Sequence, residues 1–381
     1  MSANDGKPLR VLLITRAPVG GLWRHILDLT DGLLERGFEL GIAVDSLRAS
    51  DHVRSTLERF SPRLALGVHT LDIPRLPGWG DVKLSMQFRR LIKELQPDVV
   101  HGHGAKGGLY ARLSAWRTDT HAVYTPHGGS LHYDWKTMSG KVFLTAERRL
   151  IPLTHQFLFE SQFSADGFEE KIGDTRGRDK VVFNGLGSGE FAGGPVALDE
   201  PTHDFAFVGE MRAIKGVDVL LEALCQIHHP DGRPLRVLML GDGPMLDDYR
   251  DYASKLGLED EVTFVGRRPV REAFAATNTI VVPSRAESLP YIVIESIAAG
   301  KQVIATDVGG IGEIFGPTRD ALVPADDVDA LAAAMRETLK PRSQASIDTL
   351  DRRYAYLAEN FHVDRMVDQI AESYRAITAA R

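Results

Sequence analysis

The chain of 381 residues carries 45 Lys and Arg, 52 Asp and Glu, and a single cysteine, Cys225. This length exceeds one ordinary domain and fits two domains of about 150 to 200 residues. The composition, 43% hydrophobic and 25% charged, excludes disordered, collagen-like and disulfide-stapled chains. No stretch reaches the roughly 18 apolar residues of a membrane span, and the start lacks a signal-peptide pattern, so we expect a cytoplasmic protein.

The net charge of −7 is divided unevenly along the chain. Residues 1–185 hold 25 basic against 21 acidic side chains, whereas the remainder holds 20 against 31. This asymmetry is typical of two domains with different partners, although ordinary surface variation would also produce it. The acidic balance and the lack of a basic RNA-binding motif argue against a nucleic-acid partner.

The first part of the chain alternates short runs rich in Val and Ile with amphipathic segments of helical length. The predicted strands are 11–15, 40–44, 67–73, 98–101, 122–125, 156–160 and 181–183, and the predicted helices are 22–36, 82–95, 106–116, 138–150 and 161–172. Continuous apolar strands separated by helices indicate a parallel sheet covered on both faces. Residues 1–185 are therefore a predicted Rossmann-like, doubly wound α/β domain.

The alternation stops at residues 184–203, which contain five glycines and two prolines, and we predict a linker over 186–203. It then restarts, with predicted strands at 205–208, 237–240, 262–265, 280–282, 303–305 and 321–323, and helices at 216–228, 245–256, 270–277, 290–299 and 328–340. Residues 204–360 are a second predicted Rossmann-like domain, and 361–381 add a terminal helix. Ligands of open α/β sheets bind at the carboxyl ends of the strands, which predicts a site between the two domains.

Two segments that follow predicted strands have the chemistry of anion binding. Gly20 and Gly21 lie between a strand and a helix, where backbone amides can face an anion, although a plain tight turn explains them equally well. Arg212 and Lys215 follow the strand 205–208. A planar guanidinium and a mobile ammonium at a strand's carboxyl end suit a diphosphate better than an ordinary surface loop does.

A third segment, residues 283–295, contains Glu287 and Glu295 eight positions apart. Carboxylates accept hydrogen bonds from neighbouring sugar hydroxyls, so the pair suits a sugar or ribose ligand. Ser288, Leu289 and Pro290 precede the predicted helix, whose first amides can face phosphate. Two glutamates near a helix are also common without any such function.

In this order and spacing, these segments resemble glycosyltransferase family 4, and the resemblance runs essentially from end to end. The segments that carry it are Gly20-Gly21, 98–103, 124–128, 184–186, 209–216, 241–244, 262–267, the Glu287–Glu295 pair and 308–313. The resemblance implies the GT-B architecture of two Rossmann-like domains across a cleft. It also implies retaining transfer from a nucleotide-sugar donor, without a metal or other cofactor.

The resemblance assigns a role to each matching residue. Arg212 and Lys215 would bind the donor diphosphate and stabilise the leaving group, Glu287 would hold the donor sugar, and Glu295 the ribose. His127 would lie near the transferred sugar, and His127, Arg212, Lys215 and Glu287 form the predicted catalytic set. Further donor contacts would come from Gly20, Gly21, Gly266, Arg267, Ser288, Leu289, Pro290, Gly309 and Gly310, with Gly266-Arg267 against the base and Gly309-Gly310 as a backbone wall.

This sequence departs from the family pattern at two places in the donor segments. Glu210 stands where the family commonly has arginine, so we assign that arginine's function to Arg212. Ser288-Leu289-Pro290 replaces the usual Gly-Phe-Gly, a variant shared with a branch of bacterial surface-polysaccharide enzymes. The expected product therefore belongs to polysaccharide or glycoconjugate synthesis.

The histidines of the first domain raise the question of a metal site. His101, His103 and His127 have neither a tight helical spacing nor a Cys-x-x-Cys frame, so we predict no metal. We expect His101 and His103 to be loop residues lining the cleft beside Lys106, and His25 to have a surface or packing role. His103, Lys106, His132 and Tyr133 are the predicted acceptor-side residues.

The acceptor is predicted to be a saccharide or a lipid-linked saccharide, bound on the basic first domain. Residues 132–149 mix aromatic and basic side chains, which suits peripheral contact with an anionic membrane at the inner face of the plasma membrane. Two other functions share the predicted fold: a nucleotide-sugar 2-epimerase and a non-catalytic polysaccharide-assembly protein. An epimerase needs additional acid/base groups at the sugar, and the Glu287–Glu295 pattern favours the transferase.

Overall fold

The computed structural model describes residues 7–46, 51–74, 78–191, 198 and 200–379, without the side chains of residues 52, 79, 130 and 132. The chain divides into two compact units. The first contains Met1–Asn184 and Val363–Arg381, and the second contains Gly185–His362. The stretch 186–203, predicted as a linker, falls within the second unit, where Ser188–Phe191 is a short helix.

The first unit is built on a seven-stranded parallel sheet with the order β3-β2-β1-β4-β5-β6-β7. Its strands are β1 Arg10–Thr15, β2 Glu39–Asp45, β3 Gly67–Leu71, β4 Val99–His103, β5 His121–Thr125, β6 Gln156–Phe159 and β7 Asp179–Val181. Its helices are α1 Gly20–Glu35, α2 Asp51–Phe60, α3 Trp79–Leu95, α4 Gly104–Ala115, α5 Met138–Leu150, α6 Gln162–Lys171 and, at the end of the chain, α15 Val363–Ala379. The strand order reverses direction at β1 and β4, as in a doubly wound fold.

The second unit has a five-stranded parallel sheet with the order β10-β9-β8-β11-β12. Its strands are β8 Phe205–Val208, β9 Val237–Leu240, β10 Val262–Gly266, β11 Thr279–Val282 and β12 Gln302–Ala305. Its helices are α7 Ser188–Phe191, α8 Val217–Leu224, α9 Leu246–Lys255, α10 Val270–Ala276, α11 Tyr291–Ala298, α12 Ile311–Phe315, α13 Val328–Thr338 and α14 Gln344–Asn360. The prediction of two doubly wound α/β domains is confirmed.

One predicted strand, at 321–323, is wrong. Residues Gly316–Ala321 form a 3₁₀ helix, and Val323 makes only an isolated parallel bridge to Thr306. Four of the described helices, the short α7 and α12 and the longer α2 and α14, were not predicted. The buried face of α14 consists of Arg353 and Leu357, so its sequence shows little apolar periodicity.

The terminal helix α15 belongs to the first unit because its apolar stripe packs on α1. Gly32 of α1 faces Val367 so closely that a Cβ at position 32 would lie 2.6 Å from the Val367 side chain. Beside this contact, Arg36 donates to Asp368 at 2.6 Å and to Asp364 at 3.1 Å. Helix α15 therefore joins the domain formed by the first 184 residues through both apolar packing and ion pairs.

A buried ion pair joins α4 to α5 in the same unit. The Arg112 guanidinium is fully buried and lies 2.8 Å from the Glu147 carboxylate. Tyr124 donates to the other oxygen of Glu147 at 3.0 Å, and its ring lies 4.1 Å from the Arg112 guanidinium carbon. Two buried charges are tolerated here because each has a partner of opposite sign. The pair therefore links α4 to α5 in the interior of the first unit.

Candidate functional site

In the second unit, a tight turn after β8 positions the first predicted donor-binding cation. Ala213–Lys215 form a 3₁₀ turn, and Gly216 then adopts a left-handed conformation (φ 65°) before α8 begins. A Cβ at Gly216 would lie 2.0 Å from the carbonyl oxygen of Pro283, which follows β11. Only glycine permits this approach. The turn therefore carries Lys215 to the segment that follows β11.

The structure brings Lys215 and Glu287 into direct contact, although they are 72 residues apart. The Lys215 Nζ lies 2.6 Å from Glu287 Oε1, and Ser284 donates to the same oxygen at 2.7 Å. The Glu287 side chain is 9% exposed and that of Lys215 is 25% exposed. The partly accessible ammonium can pair with a diphosphate, and the carboxylate can accept a hydrogen bond from a sugar hydroxyl.

Arg212 is placed differently from Lys215. Its side chain is 56% exposed, and its guanidinium lies 3.5 Å from the carboxylate of Glu210. An exposed pair of this kind contributes little to stability. Glu210, the residue that departs from the family pattern, therefore lies beside the arginine to which we assigned the missing function. The Arg212 guanidinium is therefore accessible from solvent.

Arg285 is a positioning residue that the sequence reasoning did not single out. It makes a bidentate pair with Asp218 of α8, at 2.9 and 2.7 Å, and its Nε donates to Asp326 at 2.6 Å. The hydrogen bond to Asp218 raises the pKa of Arg285. These contacts link the segment before Glu287 to the helix after Lys215. No sequence signal marked the residue, because an arginine in a loop is ordinary.

Gly309 and Gly310 pack against the backbone that carries Glu287. Gly309 has φ 60°, and a Cβ there would lie 1.9 Å from the Glu287 carbonyl oxygen. The Gly310 amide donates to the Ser288 carbonyl at 2.7 Å. The glycine pair, which was predicted to form a backbone wall beside the donor, contacts the backbone of Glu287 and Ser288.

The remaining predicted donor residues of this unit lie just before α11, within α11 and at the end of β10. Leu289 and Pro290 are buried, and α11 begins at Tyr291, so Leu289 contributes to the core of the unit. Glu295 is half-buried on the second turn of α11. At the end of β10, Gly266 has φ 71° with open space around it, and Arg267 is exposed.

In the first unit, Gly20 and Gly21 are the first two residues of α1, which begins two residues earlier than predicted. Both glycines are exposed, and Gly20 has φ 58° with no atom within 4 Å of the position of a Cβ. The N-cap residue, Val19, makes no side-chain capping bond. The start of α1 therefore has the open backbone that the anion-binding interpretation requires.

Four histidines of the first unit lie together: His25, His101, His103 and His127. The expectation that His101 and His103 are loop residues is wrong, since both belong to β4 and are buried. Strand β4 continues two residues beyond the predicted end of the strand, to His103. His25 packs beside these two histidines on α1, and its Nδ1 lies 2.9 Å from Asn184 Oδ1.

His127 lies in the turn after β5 and is partly buried. Its φ of 50° is uncommon for a residue with a side chain, and such strained positions cluster at functional sites. Its Nε2 lies 3.1 Å from His103 Nδ1. Burial lowers the pKa of His127 and of His25 to about 3, so both imidazoles are neutral at pH 7.

The predicted acceptor-side residues Lys106 and Tyr133 each have a partner within the first unit. Lys106, in the first turn of α4, pairs with Asp81 at 2.6 Å, and Tyr110 donates to the same carboxylate oxygen. The Lys106 charge is therefore balanced within the protein. Tyr133 stacks on Phe143 with ring centroids 4.2 Å apart. The side chain of His132 lies outside the described residues.

Comparison with known proteins adds to this geometry. Residues 202–341 match the family described as "Glycosyl transferases group 1", and residues 19–187 match "Glycosyltransferase Family 4". A D-inositol 3-phosphate glycosyltransferase from Rhodococcus erythropolis is 32% identical over 301 residues, covering 73% of this chain and 67% of that protein. One from Gordonia bronchialis is 27% identical, and the chain spans 65% of its length.

Solved structures share the fold at lower identity. A sucrose-phosphate synthase from Thermosynechococcus elongatus has a TM-score of 0.79 at 20% identity, covering 98% of this chain and all of that one. Anabaena Alr3699/HepE in complex with UDP and glucose has a TM-score of 0.76 at 19% identity, covering 97% of this chain and all of that one. Among the described residues of the present chain, no helix is long and apolar enough to cross a membrane.

Proposed function

Because this chain belongs to the family 4, or group 1, glycosyltransferases, we propose that it transfers a sugar from a nucleotide-sugar donor to an acceptor hydroxyl. The observation that carries the proposal is the Lys215–Glu287 pair of the second unit. It joins the ends of β8 and β11, and ligands of open parallel sheets bind at such ends. The structural relative from Anabaena was solved in complex with UDP and glucose, so UDP-sugars are the first donors to test.

The proposed chemistry follows from the charges at this pair. Cleavage of the anomeric bond leaves negative charge on the nucleoside diphosphate, which Lys215 and Arg212 stabilise. The Glu287 carboxylate accepts hydrogen bonds from sugar hydroxyls and holds the ring while the anomeric carbon becomes oxocarbenium-like. The bonds from Lys215 and Ser284 hold the carboxylate in its orientation. We propose retention of configuration, which rests on the family resemblance.

A donor screen tests this function directly. Thermal unfolding is measured with UDP-, GDP- and ADP-sugars, and the protein is then incubated with the responding donor and saccharide, lipid-linked saccharide or inositol phosphate acceptors. We expect one nucleotide class to raise the unfolding temperature by binding the folded state, and NMR of the product to show a retained anomeric configuration. No response to any donor would overturn the donor assignment, and formation of an epimer without acceptor would identify an isomerase.

We propose that the acceptor is presented at an anionic lipid surface by the exposed face of α5. Met138 and Val142 are 76% and 54% exposed and lie one turn apart, with Lys141 between them and Arg149 two turns further along. Trp135, just before the helix, is also exposed and donates to the Lys171 carbonyl at 2.8 Å. Apolar and basic side chains on one exposed helix face are typical of interfacial binding.

Vesicle flotation tests this surface. The protein is expected to float with vesicles that contain anionic lipid and to remain behind with neutral ones. Met138→Asp should lower the partition about tenfold, since it replaces an apolar side chain that would enter the lipid by one with the same sign of charge as the lipid. Val82→Asp makes the same kind of change at a 53% exposed valine of α3 and is the control. Flotation with neither vesicle, or equal loss in both variants, would contradict the proposal.

A further inference from the structure

The histidine cluster of the first unit has the arrangement of a metal site. His25 comes from α1, His103 ends β4, and His127 follows β5, so three separate elements converge on one point. One nitrogen of each imidazole can be chosen so that all three lie within 4.8 Å of one another. Two nitrogens bound to one Zn²⁺ at 2.0 to 2.1 Å are about 3.3 Å apart in a tetrahedral site. The 3.1 Å between His103 Nδ1 and His127 Nε2 is close to that spacing.

His25 also has a buried nitrogen that lacks a partner among the described residues. Its Nε2 makes no hydrogen bond there, and the side chain is 2% exposed. An unsatisfied buried polar group costs about 1 to 3 kcal/mol. A bound cation would satisfy such a lone pair.

The surroundings hold His25 in the form that binds metals. Asn184 Oδ1 accepts from Nδ1 at 2.9 Å when that nitrogen carries the proton, which leaves the lone pair on Nε2. An oxygen acceptor on the second nitrogen is the usual support of a metal-binding histidine.

The fourth histidine is excluded as a ligand by its own hydrogen bonds. His101 Nδ1 lies 2.6 Å from the Tyr374 hydroxyl, and its Nε2 lies 2.8 Å from Thr125 Oγ1. The sequence analysis considered His101, His103 and His127 as metal ligands and argued against them from their spacing. The hydrogen bonds of His101 also remove it from the candidate ligands. The structure replaces His101 by His25, which comes from a helix far away in the sequence.

We propose that His25, His103 and His127 bind one divalent transition-metal ion of the zinc type. Three neutral imidazoles suit Zn²⁺, Co²⁺, Ni²⁺ or Cu²⁺ and do not suit Mg²⁺, which prefers oxygen ligands. The proposal differs from the expectation of a metal-free protein. It does not depend on sugar transfer, since binding is measured without any substrate.

Metal titration of the untagged, chelator-treated full-length chain tests the site. Calorimetry with Zn²⁺ is expected to give one ion per chain, and Co²⁺ should produce the visible absorption bands of a site rich in imidazole. Zn²⁺ should also raise the unfolding temperature as its concentration exceeds the dissociation constant, whereas Mg²⁺ should not. Absence of saturable Zn²⁺ and Co²⁺ binding to the wild-type chain would overturn the proposal.

Variants identify the ligands. His25→Gln and His103→Gln are expected to weaken Zn²⁺ binding by at least about tenfold. Asn184→Ala keeps all three imidazoles and should still weaken binding, because loss of the hydrogen-bond partner of a metal ligand costs about 10- to 100-fold in affinity. His155→Gln is the matched control, since His155 pairs with His121 in the same unit, with ring centroids 4.8 Å apart. Circular dichroism checks folding. Unchanged affinity in the folded His25 and His103 variants, or equal loss in the control, would contradict this assignment.

Discussion

Replacing Lys215 by alanine is expected to lower the turnover of sugar transfer by about 10²- to 10³-fold, the usual effect of removing one group that stabilises developing negative charge. The ammonium lies 2.6 Å from Glu287 and is partly exposed, so a diphosphate can reach it without unfolding the site. Its removal also takes away one of the two groups that contact Glu287 Oε1 and leaves the hydrogen bond from Ser284. Initial rates with the donor found by the screen measure the effect.

Two further variants make the Lys215 result specific. Lys340→Ala removes an exposed lysine of the same unit that pairs with Glu337 at 2.6 Å, and it should leave turnover unchanged. Lys215→Arg keeps the charge but not the compact ammonium, and it should recover only part of the rate. Turnover of Lys215→Ala within a factor of three of the wild type, in a protein with normal circular dichroism, would exclude Lys215 from catalysis.

Gly309→Ala is expected to lower both the stability of the second unit and the turnover of sugar transfer. At φ 60° an alanine costs about 1 to 2 kcal/mol. The added Cβ would also lie 1.9 Å from the Glu287 carbonyl oxygen, and such overlap costs about 1 to 3 kcal/mol more. We expect the free energy of unfolding to fall by about 2 to 5 kcal/mol and turnover to fall about 10²-fold, because the backbone of Glu287 must move.

A second glycine of the same unit separates these two causes. Gly232 has φ 71°, and no atom lies within 4 Å of the position of its Cβ. Gly232→Ala therefore carries only the conformational cost, about 1 to 2 kcal/mol in urea unfolding, and should leave turnover unaltered. Equal stability losses in the two variants, with full activity in both, would show that the Gly309 contact does not position Glu287.

The regular elements followed from local patterns wherever one face of an element is apolar. The buried strands and the amphipathic helices α5, α9 and α15 were predicted within a few residues, because burial of one face imposes periodicity on the sequence. Helix α14 was missed because Arg353, a charged residue, occupies its buried face, where it donates to Thr318 Oγ1 at 2.8 Å. The segment 321–323 was mistaken for a strand because a short apolar run has no period of its own.

The candidate donor residues could be selected, but their contacts could not. The resemblance identified Lys215, Glu287 and Gly309 as separate contributors, and nothing in their spacing shows that Lys215 pairs with Glu287 or that Gly309 supports it. Those contacts depend on β8, β11 and β12 being neighbours in the sheet. Arg285 was overlooked for the same reason, because its partners Asp218 and Asp326 lie on other elements.

The sequence by itself determined the alternation of strands and helices, the two doubly wound units and the family, since apolar periodicity and the order of short motifs are properties of the chain. Only the tertiary structure decided which polar groups meet. It joined His25 to His103 and His127 in place of His101, and it paired the Lys215 ammonium with the Glu287 carboxylate. Side chains that converge at the ends of parallel strands come from distant segments, and the register and crossovers that unite them leave no local trace.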